Sequence, residues 1–174
     1  MKTLVLGGVK SGKSRYAENL AAESGKQVTV VTTAIAGDAE MSQRIEKHRA
    51  ARPPHWRVLE VPLALTDALH SLGNEPHTTH CHVIVDCLTL WITQLLCSQY
   101  SERDIHDEIE GFVQTVKQFA GELTIVSNET GMGIMPVDAL TRRFGDTAGV
   151  LHQRLAQDVN SVVLMVGGLP LTVK

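Results

Sequence analysis

Short β-branched apolar runs alternate along this chain with stretches of helical spacing. Runs at residues 2–6, 27–33, 82–86, 123–127 and 161–166 predict buried strands, and a shorter one is expected at 56–61. Helical spacing covers residues 13–24, closing at Gly25, and residues 63–72, closing at Gly73. Asp38 is placed to cap a helix running to about Ala51, which Pro53-Pro54 must stop. An apolar helical run follows residue 86 as far as Cys97, and a charged amphipathic one spans 102–120. Residues 137–160 read as largely helical with a break near 145–149, where two glycines fall, and residues 169–174 as an antiparallel return. Strand–helix alternation of this kind predicts an α/β fold: a mostly parallel sheet with right-handed crossovers. The 174 residues fit a single domain, with no repeat, linker or low-complexity tract.

Composition sharpens this picture. Hydrophobic residues are 43% of the chain but aromatics only 4%, so the core must be aliphatic, which suits a parallel sheet covered by helices. The net charge of −3 and scattered Lys and Arg argue against nucleic acid as a partner. No apolar stretch approaches a membrane span and no leader is expected before the first strand. Cys81, Cys87 and Cys97 form neither a CxxC pair nor an even set, so free thiols and a cytoplasmic location are expected.

The chemistry starts immediately after the first strand. Gly7-Gly8-Val9-Lys10-Ser11-Gly12-Lys13-Ser14 matches G-x-x-x-x-G-K-S/T. Backbone N–H groups must wrap a polyphosphate there, so side chains are absent where the chain comes closest, at Gly7 and Gly12. Lys13 supplies a point charge to the outer phosphates and Ser14 a hydroxyl for Mg²⁺. The helix that follows aims its positive end at the same anion. Such a loop needs a carboxylate at the end of another strand to complete the metal site. Asp86, closing Val83-Ile84-Val85, has that form and can also cap the next helix; Glu129 is the other acidic candidate at this edge.

A triphosphate site alone suits a small-molecule kinase, a RecA-like ATPase or a nucleotide-driven switch. The segment around His48 is more particular. On a helix, Arg44, His48 and Arg52 share a face. Neighbouring guanidinium groups would hold phosphates and disfavour imidazolium, leaving a neutral nucleophile able to displace pyrophosphate and form a phosphoramidate. On spacing alone, a solvated basic face carrying one incidental histidine is the better reading.

Several motifs taken together resemble one family, the bifunctional adenosylcobinamide kinase / adenosylcobinamide-phosphate guanylyltransferases of cobalamin biosynthesis. They are LVLGGVKSGKSRYAE, RIEKHRAARPPHW with Glu60 downstream, VIVDCLTLW, SNETGMGIMP and the closing HQRLAQDVNSVVLMVGGLPLTVK, so the likeness runs end to end. The resemblance implies a RecA-like sheet with an antiparallel edge and helices on both faces, assembled as a homotrimer. It implies ATP- or GTP-dependent phosphorylation of the corrinoid's aminopropanol hydroxyl. Transfer of GMP from GTP would follow, through a GMP-histidine at His48. Nucleotide contacts would fall on Gly7 to Ser14, on Thr32, Thr33 and Ala34, on Arg49, Ala50, Ala51 and Arg52, and on Glu60 and Asp86, with Mg²⁺ on Ser14 and Asp86. Some members carry two adjacent histidines where this chain has Lys47-His48, and some have Glu in place of Asp86. The alternatives are a P-loop kinase of another small alcohol and a nucleotide-gated regulatory protein without covalent chemistry.

The remaining candidates are weaker. His77-Thr78-Thr79-His80-Cys81-His82 fits no established zinc spacing and reads as a polar loop in which strand alternation would set His80 and His82 on one face. The loop from Asn128 to Gly133 follows a strand's C-terminal end and is expected to line the site. Cys87, Trp91 and Phe112 read as packing residues, and Trp56 as a residue near the nucleotide.

Overall fold

A computed structural model describes the backbone of residues 1–174 and all side chains except those of Met41, Arg44, His48 and Ala51. Seven strands, β1 (Lys2–Gly7), β2 (Gln27–Thr32), β3 (Arg57–Glu60), β4 (Cys81–Asp86), β5 (Glu122–Val126), β6 (Ser161–Val166) and β7 (Leu169–Thr172), form one sheet in the order β3-β2-β4-β5-β1-β6-β7. Only β7 runs antiparallel, pairing with β6. Six helices connect them: α1 (Lys13–Glu23), α2 (Ala39–Ala51), α3 (Leu65–Gly73), α4 (Leu88–Cys97), α5 (Glu102–Gln118) and α6 (Ala139–Asp158).

Strand alternation divides the core in two. Leu4, Val31, Val83, Val85 and Ile125 face a large cluster with Leu69, Leu88, Trp91, Phe112 and Leu151 from α3 to α6. Val30, Ile84 and Val126 face the other way, onto Ala17 and Ala21 of α1 and onto Trp56. The small alanines let α1 lie close over the strands. Trp91 and Phe112 meet with ring centroids 5.0 Å apart, tilted by 51°, and Trp91 Nε1 donates to Leu63 O at 2.8 Å. No helix among the described residues is long and apolar enough to cross a membrane.

Three expectations need correction. Helix α6 is continuous through Gly145 and Gly149. Each glycine costs about 1 kcal/mol in a helix interior. The buried stripe Ala148, Leu151, His152 and Leu155 holds the turn together, and the Asp138 side chain caps it by accepting from Thr141 N. His80 does not share a strand face with His82, because Thr78–His80 forms a 3-10 turn that leaves His80 exposed while His82 is buried in β4. Trp56 is buried against α1 beside a separate hollow, away from the phosphate loop.

Candidate functional site

The C-terminal ends of β1, β2, β4 and β5 and the β6–β7 turn surround a cavity of about 640 Å³, a size suited to a nucleotide with part of a second substrate. Val9, Lys10, Ser11, Gly12, Lys13 and Ser14 form one wall. The left-handed φ of Lys10 (56°) and Gly12 (99°) curls this loop, and it leads directly into α1. Gly7 has φ 149°, and a Cβ there would sit 2.6 Å from Met165 O, which no side chain tolerates. Lys13 is buried, with Nζ donating to Gly8 O at 2.6 Å, so its ammonium is held inside the loop's curl. Ser11 Oγ is buried without a hydrogen-bond partner among the described residues, a polar atom that an anionic ligand can satisfy.

Asp86 closes the opposite wall with Thr32 and Ala34 from the end of β2. Thr33 is buried and does not line the cavity; its hydroxyl donates to Cys87 O at 2.7 Å and accepts from Cys87 N at 3.1 Å, clamping the β2 end to the β4 end. Gln94 Nε2 donates to Thr33 O and completes the clamp. Burial, reinforced by the Asp86 charge, pushes the Cys87 thiol above its ordinary range and so disfavours the thiolate. Ser14 and Asp86 line the same space and offer a hydroxyl and a carboxylate, hard oxygen donors that would suit Mg²⁺.

Helix α2 forms the roof. None of its described side chains is buried, and Ile45 and the following Arg52 reach the cavity. Arg52 is itself 6% exposed at the side chain and binds Glu18 of α1 at 3.0 Å and Asp86 at 3.4 Å. It thereby ties the roof to both walls. Arg49 and Ala50 are exposed outside the cavity, and Glu60 is exposed at the end of β3. The side chains of His48 and Ala51 lie outside the described residues.

Asn128 lines the cavity as expected, whereas Gly131 to Gly133 extend away from it, exposed. Sequence reasoning missed Thr89 and Leu90 on the first turn of α4, and the Gly167-Gly168 turn. Paired glycines after a strand signal a tight turn (both have positive φ), but nothing in the sequence says that Gly168 N donates to Ser11 O at 3.1 Å and braces the phosphate loop.

This topology and site define a RecA-like P-loop nucleotide-binding protein. A RadB recombinase structure superposes with a TM-score of 0.53 at 16% identity, covering 94% of this chain and 73% of that one. A KaiC-like protein from Pyrococcus horikoshii gives 0.51 at 12% identity, covering 94% and 69%. At such identities the likeness is one of fold. Residues 3–173 match the cobinamide kinase / cobinamide phosphate guanyltransferase family, and the chain belongs to it. The bifunctional adenosylcobalamin biosynthesis protein CobP of Pseudomonas aeruginosa is 48% identical over all of this chain and 98% of its own length. Escherichia coli CobU, of the same description, is 36% identical over the full length of both.

Proposed function

We propose that this enzyme phosphorylates adenosylcobinamide with ATP or GTP and then transfers GMP from GTP to the product, giving adenosylcobinamide-GDP and pyrophosphate. The observation that carries the reading is the meeting of three parts in one cavity: the phosphate loop, Asp86 and the C-terminal half of α2. Ile45 and Arg52, three residues before and four after position 48, both line that cavity. Position 48 falls between them in the sequence.

In the kinase step the loop amides and Lys13 hold the triphosphate, and the corrinoid hydroxyl attacks the γ-phosphorus. The new O–P bond forms as the bond to the β-phosphate oxygen breaks, and charge neutralisation and alignment do most of the catalysis. In the second step a neutral His48 ring nitrogen attacks the α-phosphorus of GTP. An N–P bond replaces the bond to the leaving pyrophosphate. The corrinoid phosphate then attacks the same phosphorus and returns the imidazole to its neutral form. Arg52, which lines the cavity, serves to neutralise the phosphates, while Arg49 is exposed outside it. Mg²⁺, held by Ser14 and Asp86, supplies charge compensation on the phosphate oxygens when bound.

Exposed apolar residues support assembly with further copies, the homotrimer of the family: Ile134 (98%) and Val137 (95%) on one loop, Leu169 and Leu171 on the edge strand. Free Cys81, Cys87 and Cys97 support a reducing, cytoplasmic setting. The test is direct product analysis. Purified protein with adenosylcobinamide, Mg²⁺ and GTP should yield the phosphate, then the GDP derivative, with one pyrophosphate per guanylyl transferred. Nucleotide turnover on another alcohol only would favour a general P-loop kinase, and nucleotide binding without transfer would favour a switch.

A further inference from the structure

Strand β5 lies between β1, which carries the phosphate loop, and β4, which ends in Asp86. Its continuation through Ser127, Asn128 and Glu129 therefore crosses the floor of the cavity between the two. Ser127 N donates to Val5 O and Glu129 N to Gly7 O, each at 3.0 Å, so the segment is laced to the root of the phosphate loop. Asn128 N donates to Thr89 Oγ1 at 2.7 Å, and both residues line the cavity. Thr89 Oγ1 is 3.4 Å from Ser127 Oγ, which is 2.8 Å from Nε2 of His152 on α6. Ser127 is 1% and His152 8% exposed, and no step described above uses this histidine.

We propose that His152 is a positioning residue for phosphoryl transfer, accepting a hydrogen bond from Ser127 and thereby, through the Thr89 hydroxyl, holding Asn128 in place at the wall of the phosphate cavity. With Nε2 as acceptor, all the bonds point one way: Asn128 N–H to Thr89 Oγ1, Thr89 O–H to Ser127 Oγ, Ser127 O–H to the imidazole. An imidazolium would donate to Ser127 Oγ instead and turn the chain around. Burial holds the His152 pKa below the ordinary value, partly offset by the Glu129 charge, so the acceptor form prevails at neutral pH. The elements packed on α6 add little: α4 has no charged side chain, and Glu110 and Glu102 of α5 are engaged by Arg154 and Arg143 and Lys117 by Asp158. A core histidine with only a packing role would need none of this directionality.

The inference rests on the kinase reading of the cavity. Its test compares wild type with His152→Gln, whose amide oxygen can reach the Nε2 position but does not titrate, and with His152→Ala. Kinase kcat and KM for ATP are measured from acid to neutral pH alongside melting temperature. Wild-type kcat should fall on the acid side with KM little changed, and His152→Gln should keep kcat within about threefold and lose that part of the acid limb. His152→Ala should lose about tenfold or more in kcat at neutral pH, an amount equal to one buried hydrogen bond. Should the alanine variant not fold, the pH profiles of wild type and His152→Gln decide. An unchanged kcat in folded His152→Ala, or an acid limb that persists unaltered in His152→Gln, overturns the proposal. If wild type binds nucleotide but phosphorylates no corrinoid, the kinase reading fails separately. The positioning role is then judged by the preference for Mg–AMPPNP over Mg–ADP, expected to drop about tenfold in His152→Ala and refuted by an equal ratio.

Discussion

The first two glycines of the phosphate loop make opposite predictions. Alanine at Gly7 would place its Cβ 2.6 Å from Met165 O and would have to adopt φ 149°. The carbonyl belongs to β6, paired with β1 in register, so it cannot rotate out of the way as a side chain would. A disfavoured φ costs about 1–3 kcal/mol, and the clash adds a loop displacement, so Gly7→Ala should lose about 2–4 kcal/mol. For a chain of this size that is a fall of about 5–15 °C in melting temperature. A Cβ on Gly8 meets nothing within 4 Å, and Gly8→Ala should stay within about 0.5 kcal/mol of wild type. Differential scanning calorimetry reads both. Triphosphate affinity should fall about tenfold or more in Gly7→Ala, because Met165 adjoins the turn that braces Ser11. Equal melting temperatures for the two variants would refute the steric account of Gly7.

Arg52→Met keeps the packing of the side chain but frees Glu18 and Asp86; α2 should open more readily by about 1–3 kcal/mol, seen as roughly tenfold or faster tryptic cleavage at Lys47 or Arg49, and unchanged cleavage would contradict its tying role. Trp91→Ala empties a fully buried ring site and orphans the Leu63 carbonyl, so a loss of about 3–5 kcal/mol is expected in denaturant titration. Acid should destabilise the fold through His82 and His152, whose pKa values are both lowered chiefly by burial. The unfolded chain then binds protons first, so stability is lost as pH falls below the ordinary imidazole value, and the loss stops growing once the folded-state values are passed. His82 contributes although Glu122 Oε2 lies 3.2 Å from its Nδ1 and raises its pKa, because burial, helped by the charges of Lys26 and the N-terminus, outweighs that carboxylate. Urea midpoints that do not fall between neutral and mildly acid pH would contradict this sign.

Strands β1, β2, β4, β5 and β6 were legible because each is a compact apolar run buried over most of its length, and the phosphate loop because its backbone geometry demands glycines at fixed spacing. Asp86 followed from its place at a strand end. What the sequence concealed depends on contacts between distant segments. Gly145 and Gly149 looked like a helix break because propensity is local, while the stripe that holds α6 together meets α4 and α5. Thr33, which the family resemblance implied as a nucleotide contact, turns its hydroxyl to the Cys87 backbone instead. Thr89 and His152 acquired roles only when β5 was seen lying between β1 and β4, and Gly168 only when β6 was seen beside β1, an order no single-strand pattern contains.

The central claim is covalent transfer through His48. Purified protein incubated with Mg²⁺ and GTP labelled at the α-phosphate, then denatured, reads it directly. Retained label should survive base, be released by acid and be absent from His48→Ala, with GTP binding by that variant preserved. Wild-type protein that binds GTP but retains no label, or a His48→Ala variant that retains as much, would contradict it.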